Sequence, residues 1–263
     1  MIILNRLYEK HNYLNKDISF LCNTRINEYD MKAGGYSILK RAGALTSKEI
    51  DYLEHCPKLE RNIYLGNKVR ENRELNELQM NGFIEARKMF FELNQIDDNS
   101  VLSIKKDAIF LIRQNVYNLQ FDGFTFNLAN TYNSYYYFPN VQGDAIEMYY
   151  KSKDNTVDIK GLGKDNIPLH QDYFIKDLCT IFRLAELGNR DTLIKHIKRY
   201  RSKYLNRELN PNCYREMNLM SLFHTIHTFG GMDVLTEVCD DIDELNIVYN
   251  YKNFILPLIK YYL

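Results

Sequence analysis

Two aspartates stand where carboxylates can hold a divalent cation. Asp30 closes the run Ile26-Asn-Glu-Tyr-Asp30 and is followed by Met-Lys-Ala-Gly34-Gly35-Tyr36. Asp107 sits in Val101-Leu-Ser-Ile-Lys105-Lys106-Asp107-Ala-Ile-Phe-Leu-Ile112, two apolar arms around a charged tip, which predicts a hairpin. One carboxylate at a strand end and another on a hairpin tip supply rigid oxygen donors, the ligands that magnesium prefers. If the two strands are neighbours, the pair can serve a site with two metal ions roughly 3.5–4 Å apart, which activates an attacking hydroxyl and steadies a triphosphate. The backbone amides after Asp30, freed by Gly34 and Gly35, could form a concavity for phosphate oxygens.

The elements that must position these groups follow from the pattern of apolar residues. Ile18–Cys22 and Ile26–Asp30 read as strands, the Gly34-Gly35 pair breaks the backbone, and Tyr36–Ala42 resumes as a short helix. Ser47 is an N-cap candidate for the next helix. Residues 58–94 are expected to be mostly helical, with Leu75, Leu78, Phe83, Ala86, Met89 and Phe90 on one buried face. Asp97-Asp-Asn-Ser is a turn, the Asp107 hairpin follows, and aromatic segments over 116–138 extend the sheet. From about Gln171 the pattern is helical through Phe174, Leu178, Ile181 and Phe182, and the helix near 191–204 is basic. This order predicts an α+β protein, an antiparallel sheet with helices on one face.

Composition bounds the function. The chain has 263 residues, 45% of them apolar, enough for one large domain or two small ones. Lys and Arg number 34 and so do Asp and Glu, so any contact with nucleic acid must come from local patches. Five widely spaced cysteines (Cys22, Cys56, Cys179, Cys213, Cys239) suggest free thiols in a reducing compartment. The short apolar start does not read as a secretory signal, and no run reaches the roughly 18 apolar residues of a membrane span. A cytoplasmic protein with no membrane partner is the expectation. No P-loop, nucleophile elbow or dinucleotide fingerprint is present.

Four segments, in order, resemble the core of family B DNA polymerases. Asp30-Met-Lys-Ala-Gly-Gly35-Tyr36-Ser37 resembles motif A, and Lys58-Leu-Glu-Arg-Asn62-Ile-Tyr-Leu-Gly66 resembles the fingers motif. Lys105-Lys106-Asp107-Ala-Ile-Phe resembles motif C, and Tyr149-Tyr150 with Val157-Asp-Ile-Lys160-Gly161-Leu resembles the thumb-side motif. The resemblance implies a palm-like sheet over 1–45 and 95–140, a short helical fingers insertion over 46–94, and a mostly helical thumb-like region over 141–263. It implies a minimal nucleotidyltransferase without an exonuclease domain, with Mg2+ (or Mn2+) held by Asp30 and Asp107. Lys58, Asn62, Gly34, Gly35 and Tyr36 would meet the nucleoside triphosphate. Lys105, Lys106 and Lys160, with the basic-helix residues Lys195, Lys198 and Arg199, would meet primer-template nucleic acid. Phage replication proteins are the implied partners; the lack of Trp beside 21 Tyr also suggests an AT-rich coding source such as a phage.

The chain departs from that family where motif C has its first aspartate, here Lys105, and where a tyrosine screens the sugar, here Gly35. Tyr36, one residue on, is the available substitute. These losses leave open an alternative, a catalytically inactive palm that serves as a binding or assembly module. Blander readings stand beside each motif. Asp30 also fits a solvated turn or cap, Lys105–Asp107 an ordinary polar hairpin tip, and Lys58 and Asn62 a solvated helix face. Tyr132–Phe138 fits an aromatic strand packed in a sheet better than a base-stacking platform. His224-Thr-Ile-His227 has a metal-ligand spacing but no completing cysteine or carboxylate close by, though Asp233 and Glu237 lie within reach in sequence.

Overall fold

A computed structural model describes residues 6–139, 145–161 and 175–209, together with Ile255, Leu256 and Leu258. The fold is α+β, with two antiparallel sheets and six helices among the described residues. It divides into two compact units, residues 1–16 with 26–131, and residues 17–25 with 132–263.

The first unit is built on a six-stranded sheet of order β1-β4-β5-β3-β7-β6. Its strands are β1 (Asn12–Leu14), β3 (Ile26–Met31), β4 (Val101–Lys105), β5 (Ala108–Ile112), β6 (Gln120–Phe121) and β7 (Phe124–Tyr132); β2 (Phe20–Leu21) belongs to the second sheet. Alternation along β3 divides its residues between the faces. Tyr29 and Met31 join a core with Ile104, Ile109, Leu111, Phe124 and Phe126, and helix α4 (Arg73–Asn94) covers that face with Phe83, Ala86, Phe90 and Phe91. Glu28 and Asp30 therefore belong to the other face.

Between β3 and α4 lie α1 (Gly34–Arg41), α2 (Ser47–His55) and α3 (Lys58–Glu71), which form a small core of their own from Leu39, Leu45, Leu53, Leu65 and Val69. α2 is capped by Thr46, one residue before the expected Ser47. Thr46 and Glu49 make a reciprocal capping box that satisfies two amides at once, and Ser47 has no counterpart three residues on. The long helical stretch breaks at Asn72, whose side chain accepts from the Leu75 amide at 3.1 Å and starts α4.

The second unit carries the sheet β10-β9-β8-β2. Here β8 is Ser134–Pro139, β9 Ala145–Lys151 and β10 Thr156–Lys160; the helices α5 (Lys176–Glu186) and α6 (Arg190–Leu205) follow. One face, with Phe20, Tyr136, Ile146, Met148 and Tyr150, packs on Leu178, Ile181 and Phe182 of α5 and on Leu193, Ile197 and Tyr200 of α6. Strands β9 and β10 lie within the region expected to be mostly helical. The helix start near Gln171 and Phe174, the pair His224 and His227 with Asp233 and Glu237, and the thiols Cys213 and Cys239 lie outside the described residues. Cys22, Cys56 and Cys179 are free thiols.

Candidate metal and phosphate site

The strand order brings the two aspartates to one end of the first sheet. β3 pairs antiparallel with β5, and Asp30 is registered opposite Ala108, the residue after Asp107. The Met31 amide donates to the Asp107 carbonyl at 3.1 Å. β4 and β5 are joined by a two-residue turn, Lys106-Asp107, in which Lys106 takes a left-handed φ of 53°. Both aspartates are partly exposed. Lys105 pairs with Asn12 on β1, and the Lys106 amide donates to the His11 carbonyl at 2.7 Å. Four chain segments therefore fix this corner: β1, β3, β5 and the turn itself.

A fifth contributor was not read from the sequence. Arg87 of α4 is buried under the turn, 1% exposed. Its Nε donates to the Tyr8 carbonyl at 2.8 Å, its Nη1 donates to the Lys106 carbonyl, and its Nη2 lies 3.4 Å from His11 Nδ1. Burial pulls the Arg87 pKa down to about 10, while the Asp107 carboxylate acts in the opposite sense. Its guanidinium stays charged at neutral pH. His11 is pushed below the usual imidazole range, first by burial and then by the charges of Arg87 and Lys106. The signal was present in α4, where Arg87 stands between Phe83 and Phe90 on the apolar face, and a charged residue in such a stripe needs a buried partner.

The glycines have a packing role. A Cβ on Gly34 would lie 2.8 Å from Phe83 Cε1, and one on Gly35 would lie 2.8 Å from Gln79 Nε2. A Cβ on Gly82 of α4 would overlap Ile38 Cγ2. All three lie where α1 and α4 approach too closely for a side chain. Tyr36 donates to Glu54 Oε1 at 2.9 Å, and Lys40 and Arg61 lie over its ring, 5.6 and 6.0 Å from the centroid. Lys58 and Asn62 occupy the exposed first turns of α3. From that segment it is Arg61 that reaches Tyr36. Lys106 Nζ lies 5.2 Å from the Phe83 ring centroid.

The remaining candidates belong to the second unit. Lys160 on β10 is registered opposite Glu147 on β9, and Lys195, Lys198 and Arg199 are exposed on α6. Tyr132, Tyr135 and Tyr136 are buried in their sheet, as a packed aromatic strand requires. Among the described residues, no group of three or more His, Cys, Asp or Glu side chains is placed to hold a metal ion. No described helix is long and apolar enough to cross a membrane.

A family model described as bacteriophage PBS1 gene 130 protein matches residues 1–263. The chain belongs to this phage family. A search of curated proteins found no match. The family match carries the phage association and contains nothing that indicates a family B polymerase.

Proposed function

We propose that this phage protein is a minimal palm-type nucleotidyltransferase whose reactive corner is the Asp30–Asp107 end of the first sheet. The observation that carries the reading is the strand order. Two aspartates 77 positions apart in sequence (107 minus 30) come to the same sheet end because β3 pairs with β5 in a register of Asp30 against Ala108. Acidic residues at one strand end suit a hard divalent cation; Asp30 and Asp107 would hold Mg2+ or Mn2+, which would offset charge on a triphosphate. Lys105 and Lys106 add positive charge for phosphate oxygens at the same end. The reaction class is attack of a hydroxyl oxygen on an α-phosphorus, forming one P–O bond and breaking the α–β anhydride. The hydroxyl proton passes to solvent and pyrophosphate leaves.

Primer extension on a labelled primer-template, with deoxy- and ribonucleotides offered separately, tests this. Extension by wild type that falls to background in Asp30→Asn and in Asp107→Asn is the expected result. Extension that survives both substitutions overturns the assignment of the site.

A second reading rests on Arg87. A buried guanidinium beside Asp107 competes with a metal ion for that carboxylate, and Lys105 replaces an acidic ligand. Under this reading the palm-like unit is an inactive binding or assembly module of a phage complex. Wild type without extension activity, still binding nucleic acid equally well after Asp30→Asn, is its signature.

A further inference from the structure

Several helical cations among the described residues are tied to carboxylates. Lys40 meets Glu54 at 2.5 Å, Arg41 meets Glu85 at 2.9 Å, Arg73 meets Glu77 at 2.9 Å, Lys88 meets Glu92 at 3.9 Å, and Lys68 meets Glu49. On helix α6 a group of neighbouring cations is not. Lys195, Lys198 and Arg199 are exposed and make no ion pair among the described residues. They are spaced i, i+3 and i+4, so their side chains form one patch on adjacent turns. Arg190 and Arg201 are exposed on the same helix. In a chain with zero formal net charge, Lys195, Lys198 and Arg199 form a local concentration of positive charge.

The rest of α6 narrows the partner. Its apolar side chains Leu193, Ile197, Tyr200 and Tyr204 are spent in the core of the second unit, and His196 lies 3.8 Å from Asp177 of α5. No apolar face is left over for a bilayer, which an interfacial helix requires. From Arg190 to Ser202 the exposed positions are polar or charged, unlike the aromatic-rich, lysine-poor centre of a protein–protein interface. Lys195 to Arg199 covers about 6 Å of helix axis, and a nucleic-acid strand offers one phosphate per roughly 3.4 Å of its own axis. The match is to a regularly repeating anion.

We propose that the outward face of α6 binds the phosphate backbone of nucleic acid through Lys195, Lys198 and Arg199, without reading bases. This rests on the second unit alone and stands whether or not the Asp30–Asp107 corner is catalytic. The test is fluorescence anisotropy of the full chain with a labelled single-stranded oligonucleotide and with the matching duplex, over a range of salt. Wild type should bind both, with log affinity falling against log salt at a slope of about −2 to −3 for three phosphate contacts. Lys195→Glu with Lys198→Glu and Arg199→Glu should weaken binding about tenfold or more at low salt and flatten that slope. The variant should keep its circular dichroism and melting temperature, because all three side chains are exposed. Lys195→Arg with Lys198→Arg should bind like wild type. Absence of wild-type binding, or equal binding by the charge-reversed variant, overturns the proposal. So does polyglutamate competing as well as unlabelled oligonucleotide, which would assign the patch to an acidic protein.

Discussion

In the first sheet Asp30, Lys105, Lys106 and Asp107 gather at one end, while its helix-covered face is largely apolar; Glu28, in the middle of β3, is buried and accepts from Asn130 Nδ2 at 2.6 Å. In the second sheet the polar groups run along the middle of a face. Tyr135 is registered opposite Tyr149, Tyr149 opposite Asp158, and Glu147 opposite Lys160. These groups bond to one another and to Tyr132 at the end of β7: Tyr132 to Asp158 at 2.8 Å, Tyr149 to Glu147 at 2.7 Å, and Lys151 to Asp158 at 2.8 Å. The rings of Tyr132 and Tyr135 each lie 5.0 Å from that of Tyr149, in tilted contact. Burial lifts the Tyr135 hydroxyl far above the phenol range. Charge at a strand end stays near solvent and open to a ligand, whereas charge in the middle of a face is enclosed and takes internal partners. Residue type alone does not distinguish a site from a scaffold; position in the sheet does.

The largest expected effect that sharpens this contrast is at the turn. Arg87→Met removes the buried donor to the Tyr8 and Lys106 carbonyls. It should cost about 3 kcal/mol of stability in denaturant titration. A cost below about 1 kcal/mol would mean that the turn is held by its backbone alone.

Gly82→Ala comes next. The new Cβ overlaps Ile38, so α1 and α4 must separate, at about 1–3 kcal/mol despite the better helix propensity of alanine. Gly66→Ala in α3 is the control, because nothing lies within 4 Å of its added Cβ. It should stabilise by up to about 1 kcal/mol. Opposite signs are expected, and equal signs would show that the α1–α4 approach is not set by glycine.

In the second unit, Tyr132→Phe, at the end of β7, removes one hydrogen bond to Asp158 that Lys151 partly replaces, and should cost about 1 kcal/mol. A loss as large as that of Arg87→Met would erase the distinction between the two regions.

The smallest effect is one of pH. Hydrogen bonds, first from Lys68 and then from the Thr46 amide and Tyr64, hold the Glu49 carboxyl down to about 2, from 4.5. Because the folded-state value is depressed, this contribution is present above about pH 4.5 and is lost as pH falls toward 2. Glu49→Gln should flatten that part of the acid-unfolding curve, measured by melting temperature against pH.

The strand β3, the hairpin of β4 and β5 and the apolar stripe of α4 were legible because each is a local period of two or of three to four residues. The adjacency of Asp30 and Asp107 was not, since it depends on β3 choosing β5 as its partner across the whole helical segment. Gly34 and Gly35 read equally well as a phosphate cradle or as a place where helices touch, and only Phe83 and Gln79 on the facing helix distinguish the two. β9 and β10 were hidden because tyrosine serves both faces, Tyr149 in the polar layer and Tyr150 in the core. Arg87 was visible as a charge among phenylalanines, yet its partners are main-chain carbonyls, which no side-chain motif records.

The most direct test of the account is manganese binding by isothermal titration, comparing wild type with the double variant Asp30→Asn, Asp107→Asn. The account predicts saturable binding by wild type that disappears in the double variant while its melting temperature is retained. The same weak heat in both proteins would contradict it, and would leave the end of the first sheet a structural turn held by Arg87.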